Sequence, residues 1–196
     1  MSLVLASGSA ARRRLLEAAG VVFDVIAPVC DEEAAKRQYR AEGRSPHAQA
    51  EALAELKAKS VSQTTAAYVI GADQMLALDG VALDKPSSVA EARQHLMRLR
   101  GCPHELITAA AVAKDGAIVW RITDVPRLTM RRFSDAFLDE YIAHAGADLL
   151  RSVGAYQLEG RGAQLFERVE GDYFSILGLP LLALLAFLRR EGEVLA

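Results

Sequence analysis

Tyr68-Val-Ile-Gly-Ala-Asp-Gln-Met-Leu-Ala-Leu-Asp-Gly-Val-Ala-Leu83 carries the reading that decides the fold. The apolar run Tyr68-Val-Ile70 has the length and β-branched content of a buried strand. It leads into Gly71-Ala-Asp73, which puts Asp73 at a strand's carboxyl end, the usual place for ligands in open α/β sheets. Residues 75–78 and 81–83 then flank Asp79-Gly80, a dipeptide that tolerates positive φ at both positions and so closes a two-residue hairpin. A strand that feeds a hairpin, rather than a crossover helix, predicts a sheet that is not purely parallel.

The flanking sequence extends this pattern. Residues 3–6 (Leu-Val-Leu-Ala) form a short apolar strand, and Ser7-Gly-Ser9 forms a turn with Ser9 as N-cap. Residues 10–19 are then a helix closed by Gly20. Phe23-Asp-Val-Ile26 reads as the next strand, and residues 31–44 as a solvated helix or ordered loop. Ser45-Pro46 pairs a cap with a first-turn proline, and the helix beyond aligns Ala50, Leu53, Ala54, Lys57 and Ala58 on one face. Ser88-Val-Ala-Glu91 is a capping box. Residues 106–113 and 117–122 flank a second hairpin at Asp115-Gly116. Residues 127–133 alternate as a strand, Ser134 caps a helix to about residue 143, residues 164–169 form a strand, and Pro180 opens a last helix. Helices and hairpins interleave, so the class is α/β with a mixed, partly antiparallel sheet and flanking helices. At 196 residues the chain is expected to form a single domain spanning 1–196.

Composition narrows the function without naming it. Apolar residues make up 52% and charged residues 24%, an ordinary globular mixture. A net charge of -2 excludes a surface built throughout for nucleic acid, while leaving room for a local basic pocket. Two cysteines, Cys30 and Cys102, cannot make a four-cysteine zinc site or a disulfide framework, and they point to a reduced, cytoplasmic interior. The start, MSLVLASGSA, lacks the basic segment and long apolar stretch of a signal peptide. The most apolar run, 176–188, is interrupted by Gly178 and Pro180 and is too short for a membrane span, so it reads as a core helix. The four histidines show no metal-ligand spacing. Only five lysines stand against 18 arginines, which singles out any lysine in an unusual setting.

Four constellations could carry chemistry. In Ser7-Gly-Ser-Ala-Ala-Arg-Arg-Arg14, a small-residue turn presents backbone N–H groups to an anion, with Arg12 and Arg13 as bidentate donors. The alternative is a serine-capped helix with surface arginines. Asp31, Glu32, Asp73 and Asp84 are acids able to bind a hard cation or activate water, or else to cap helices. Lys57 lies on an apolar helix face, which is costly for a charge without a partner unless its stem snorkels outward. Lys85 is held extended by Pro86, and cations opposite acids suit a polyphosphate site. In 154–160 and 171–180, clustered glycines permit close backbone approach, and Gln157 and Glu159 could read a base edge. The alternative there is a pair of ordinary turns.

Taken in order, these segments resemble the Maf family of nucleoside triphosphate pyrophosphatases. The matching pieces are Leu5-Ala-Ser-Gly-Ser9 with Arg12 and Leu15-Leu16; Asp31-Glu32; Leu53-Ala54 with Lys57-Ala58; Gly71-Ala-Asp73; Lys85-Pro86; His104 with Thr108; Gly154-Ala-Tyr156; and Gly171-Asp-Tyr173 through Gly178-Leu-Pro180. The resemblance implies an elongated mixed sheet with flanking helices, with two lobes around a central cleft, as also in inosine triphosphate pyrophosphatases. It implies hydrolysis of a nucleoside triphosphate to the monophosphate and pyrophosphate with Mg2+ or Mn2+, in a house-cleaning role. Asp73 would be the proton acceptor, with Lys57 and Lys85 catalytic. Ser7, Ser9, Arg12, Arg13 and Gln157 would bind substrate, and Glu32 with Asp73 would face the metal. A homodimer is implied by the same resemblance. The family's link to septum formation leaves a second reading, a nucleotide-binding regulator of cell division with little catalysis.

Departures from the family pattern bear on the base. The usual Ser-Pro-Arg-Arg start is here Ser9-Ala-Ala-Arg12. The pyrimidine-directed subgroup has threonine where this chain has Gln74, and Ile-Gln-Gly where it has Leu158-Glu-Gly160. Both resemble the subgroup acting on 7-methyl-GTP, although that subgroup carries tryptophan at the position of Ala11. Ala11, Gln74 and Glu159 are therefore the expected specificity positions, and a carboxylate at Glu159 suits a cationic methylated guanine.

Overall fold

The structure is a computed structural model, and it describes residues 3–195. Met1, Ser2 and Ala196, which the signal-peptide reading and the single-domain span include, lie outside the described residues. In chain order the elements begin with β1 (Leu3–Ala6), α1 (Ala10–Ala18), β2 (Asp24–Val25), α2 (Glu32–Ala41), α3 (Pro46–Ser62), β3 (Tyr68–Leu78), β4 (Val81–Leu83) and α4 (Val89–Leu99). There follow β5 (Pro103–Lys114), β6 (Ala117–Asp124), β7 (Arg127–Met130), α5 (Asp135–Ala145), β8 (Phe166–Glu170), α6 (Tyr173–Ile176) and α7 (Leu181–Arg190). Three short 3-10 turns, Gly146–Leu150, Val153–Ala155 and Arg161–Leu165, fill the stretch between α5 and β8.

The class is the expected one, a mixed sheet of eight strands with flanking helices. Strands pair in the order β2-β1-β3-β5-β7-β8, with β4 on β3 and β6 on β5. β1 is parallel to both β2 and β3, while β3–β4, β5–β6, β5–β7 and β7–β8 are antiparallel. Both Asp-Gly dipeptides turn hairpins as read. Asp79 and Gly80 take φ of 51° and 77°, and Asp115 and Gly116 take 50° and 78°, the mirror-image turn that matches strand twist.

The chain forms two compact units. Among the described residues the first contains 3–74, 108–124 and 172–195, and the second Met75–Ile107 and Val125–Gly171, so β3 and β5 each contribute to both. In the first unit β1 is buried along its whole length because both faces are covered. Leu3 and Leu5 join Tyr68, Ile70 and Ala72 of β3 in a core closed by Leu16 and by Leu179, Leu184, Phe187 and Leu188. Val4 and Ala6, on the opposite face, pack with Val69 and with Val61 of α3. The two-residue period of β3 therefore turns Val69, Gly71 and Asp73 toward α3. In the second unit, His104 of β5 sits among Tyr156 and Phe166, with ring centroids 5.7 and 5.9 Å away.

Five local expectations need correction. Asp73 does not end a strand: β3 runs unbroken from Tyr68 to Leu78, and Asp73 lies within it. Gly71 reads as a stop but is a point of contact, for a Cβ there would lie 2.3 Å from the Ala54 carbonyl oxygen and 2.5 Å from the Ala58 nitrogen of α3. The apolar run 176–188 is not one helix, since the turn at Gly178, with φ +106°, separates α6 from α7. Residues 161–165 form a 3-10 turn and delay β8 to Phe166. Finally, the capping box at Ser88 is shifted by one residue: Ser88 Oγ accepts from the Glu91 N–H, but the Glu91 carboxylate accepts from the N–H and hydroxyl of Ser87.

Candidate functional site

The first element of the site is the turn into α1. Ser9 caps the helix, its Oγ accepting from the Arg12 N–H at 3.4 Å, and its own N–H donates to Ser7 Oγ at 3.2 Å. Ser7 is buried and also accepts from Arg12 Nη1 at 3.3 Å. Arg12 is itself buried, and its Nε donates to the Gly178 carbonyl at 2.8 Å. Burial pushes the Arg12 guanidinium down from its ordinary value, and the negative charges of Asp73 and Glu32 pull it back up.

The second element is an ion triad. α3 buries Ala50, Leu53, Ala54, Lys57, Ala58 and Val61 as one stripe, so helical periodicity drives Lys57 inward among alanines and leucines. Lys57 is 6% exposed and does not snorkel. Its Nζ meets Asp73 Oδ1 at 2.8 Å and Glu32 Oε2 at 2.7 Å. Glu32 is brought there by α2, whose first turn it occupies behind the cap made by Asp31 Oδ1 to the Ala34 N–H. Asp31 is thus a capping residue. A buried ammonium is tolerated here because two carboxylates compensate it, and stripping either away would strand a charge out of water. Cys30, beside this group, has its thiol pushed up by burial and by Glu32, with the Lys57 charge and a hydrogen bond to Ser60 acting the other way.

The structure brings Ser7, Ser9, Arg12, Glu32, Lys57, Asp73 and Gln74 together in the first unit. Arg13 is not drawn in: it is exposed and pairs with Glu17 at 3.6 Å along the outer side of α1. Ala11 is half-buried on the same helix. Lys85, Gln157 and Glu159 belong to the second unit. Lys85 is exposed beyond β4, Glu159 is exposed, and Gln157 is half-buried in the stretch before the last 3-10 turn. Among the described residues no three His, Cys, Asp or Glu side chains group to hold a metal, whereas two carboxylates, Glu32 and Asp73, converge on one point. Sequence reasoning gave no role to Thr108 or Ser175, both fully buried, or to the Gly178 carbonyl. The available signal is that Thr108 is the one polar residue in the stretch 106–113.

A family model for Maf-like proteins matches residues 2–191. The chain belongs to the Maf family. Among the relatives of this Maf-like chain, a protein named nucleoside triphosphate pyrophosphatase from Caulobacter vibrioides is 52% identical over 192 residues, covering 98% of this chain and 96% of its own length. One of the same name from Paramagnetospirillum magneticum is 54% identical over 192 residues, covering 97% and 99%. A protein named 7-methyl-GTP pyrophosphatase from Rhizobium meliloti is 47% identical over 193 residues, covering 98% and 97%. Among the described residues no helix of the Maf-like chain is long and apolar enough to cross a membrane.

Proposed function

We propose that the chain hydrolyses nucleoside triphosphates to the monophosphate and pyrophosphate, as a house-cleaning enzyme acting on modified or non-standard nucleotides. The observation that carries this reading is Lys57 held 2.7 and 2.8 Å from two carboxylates with a buried arginine alongside, an acid–cation cluster suited to a polyphosphate. The names of the relatives at about half identity support the same reaction.

In this reading Asp73 accepts the proton lost by the attacking water, and the anhydride between the α- and β-phosphates breaks to release pyrophosphate. Arg12 offers the guanidinium nitrogen left over from Ser7 and Gly178 to the phosphates. Ser7 and Ser9 line the approach, Lys57 orients Asp73, and Lys85 is a further candidate cation for the triphosphate. Glu32 and Asp73 fit a Mg2+- or Mn2+-type ion, which takes oxygen ligands and is commonly held by one or two carboxylates together with substrate phosphates. Such an ion would disperse charge developing on the phosphates. A carboxylate at Glu159 suits a cationic methylated base, and Gln157 is a further polar side chain of the same unit. The relative named 7-methyl-GTP pyrophosphatase supports a methylated purine as substrate. A cytoplasmic location, supported by two free cysteines, and a homodimer measurable by sedimentation belong to the same reading.

The test is a panel of canonical and modified triphosphates with Mg2+ or Mn2+, assayed for monophosphate and pyrophosphate with wild-type protein and Asp73→Asn. Wild-type turnover lost by at least about a thousandfold in Asp73→Asn, with the fold retained and only a lowered unfolding midpoint, is expected. Normal turnover in that variant refutes Asp73 as proton acceptor. No pyrophosphate from wild type across the panel refutes the enzymatic reading in favour of a nucleotide-binding regulator.

A further inference from the structure

Opposite the ion triad, on the other face of β3, lies a set of polar groups with no part in it. Gln74 aims its carboxamide nitrogen at Thr108 Oγ1 (2.8 Å), the Ser175 carbonyl (3.0 Å) and the Ile176 carbonyl (3.1 Å). Three oxygen acceptors around one end fix which end of the amide is the nitrogen. Thr108, fully buried on β5, donates its own proton to the Ser175 carbonyl at 2.9 Å and so accepts from Gln74. Ser175 is fully buried as well, and its N–H and hydroxyl both donate to Asp172 Oδ2, at 2.7 and 2.9 Å.

These bonds pin a short segment at its start and its middle. The next residue to act is Gly178, whose N–H donates to the Ser175 carbonyl at 3.0 Å and whose carbonyl accepts from Arg12 Nε at 2.8 Å. Its φ of +106° is a conformation only glycine adopts without strain, so the carbonyl's direction is set by the backbone on either side. Gln74 and Arg12 meet at this residue: a methyl built on Gly178 would lie 3.6 Å from Arg12 Nε and 3.9 Å from Gln74 Oε1.

We propose that Gln74 and Thr108 are positioning residues for Arg12, fixing the 175–178 turn so that the Gly178 carbonyl holds the guanidinium beside Asp73 and Glu32, and that Gln74 does not itself touch the nucleotide. This rests on the reading of Arg12 as a triphosphate-binding group. Any influence of position 74 on substrate choice then acts through where Arg12 sits. A glutamine whose donors are all committed to internal acceptors has no N–H left to offer a base.

The experiment follows the Arg12 Nε–H by NMR in arginine-labelled protein, assigned by its disappearance in Arg12→Lys, and measures its hydrogen exchange. Gln74→Met keeps the length of the side chain and removes its donors. It is expected to lower the protection of that proton by about tenfold, the scale of one lost hydrogen bond. Thr108→Val lowers it less, because Gln74 keeps two carbonyl acceptors, and Thr108→Ser restores it. KM for a triphosphate rises in step with the lost protection. Unchanged protection in both Gln74→Met and Thr108→Val overturns the proposal. So does a raised KM in Gln74→Met with Arg12 undisturbed, because Gln74 would then contact substrate directly. Equal loss of protection in Thr108→Val and Thr108→Ser also overturns it. A wild-type protein that turns over no triphosphate would fail the reading of the preceding subsection, and the exchange comparison would still decide this one.

Discussion

Gly71→Ala is the sharpest probe of how the fold builds the site. The added methyl would lie 2.3 Å from the Ala54 carbonyl oxygen, 2.5 Å from the Ala58 nitrogen and 2.9 Å from the Ala58 Cβ. Two of these neighbours are helix backbone, so no side chain can swing aside. Restoring ordinary contact requires α3 and β3 to separate by about 1 Å. Lys57 lies on α3 between the two residues struck, while Asp73 is two residues along β3 on the same face. The 2.8 Å Lys57–Asp73 bond is therefore stretched past hydrogen-bonding range. α2 packs on α3 and carries Glu32, so the 2.7 Å Lys57–Glu32 bond is kept. Overpacking of this kind costs about 1–3 kcal/mol. A 1 Å displacement between catalytic groups costs roughly a hundredfold in rate. Urea unfolding measures the first through a lowered midpoint at unchanged slope, and steady-state hydrolysis of the best triphosphate measures the second. A Gly71→Ala protein with wild-type kcat/KM and a stability within about 0.5 kcal/mol of wild type refutes the close approach as the device that sets the triad.

Three further outcomes follow from other sites. Burial pushes His104 down to about 4 from 6.5, so the fold favours its neutral form, and its contribution to stability is complete above pH 6.5 and lost as pH falls toward 4. At pH 5 the loss is about 2 kcal/mol relative to pH 8, and a His104→Gln protein should lack it; parallel pH–stability curves for the two proteins contradict this. Lys57→Met leaves two carboxylates facing each other without their cation, and it should both abolish turnover and lower stability by about 1–3 kcal/mol, less than for a wholly buried pair because Glu32 is partly solvated. Unfolding at wild-type denaturant concentrations argues against the triad as a buried unit. Glu159→Gln should lower activity on 7-methyl-GTP relative to UTP by about tenfold, the scale of a charge-assisted contact, and an unchanged ratio refutes that contact.

What was legible in the sequence was whatever depends on near neighbours. Ser45-Pro46 opened α3, and Asp79-Gly80 and Asp115-Gly116 turned their hairpins, because caps and positive φ are decided within a few residues. Gly71 was misread because a glycine that ends a strand and one that admits a helix look alike until the helix is placed. Glu32 and Asp73 stand out in the sequence as acids and Lys57 as a cation on an apolar helix face, but their meeting depends on three elements packing together. Arg13 pairs with Glu17 on the outer side of α1, which a run of three arginines does not reveal, and the role of Thr108 is hidden because its partners, Gln74 and Ser175, lie far away in sequence.

The order of synthesis acquires a meaning from the core of the first unit. Leu3, Leu5 and Leu16 are made long before the side chains that close over them, Leu179, Leu184, Phe187 and Leu188. The carbonyl that holds Arg12 belongs to Gly178 in that same late stretch. While the chain is being made, α3 can cover one face of β1 and β3, but the face carrying Leu3, Leu5 and Ile70 stays open until α7 emerges. The Gly178 carbonyl lies 166 residues beyond Arg12, so a chain stopped short of Gly178 lacks this hold on the guanidinium.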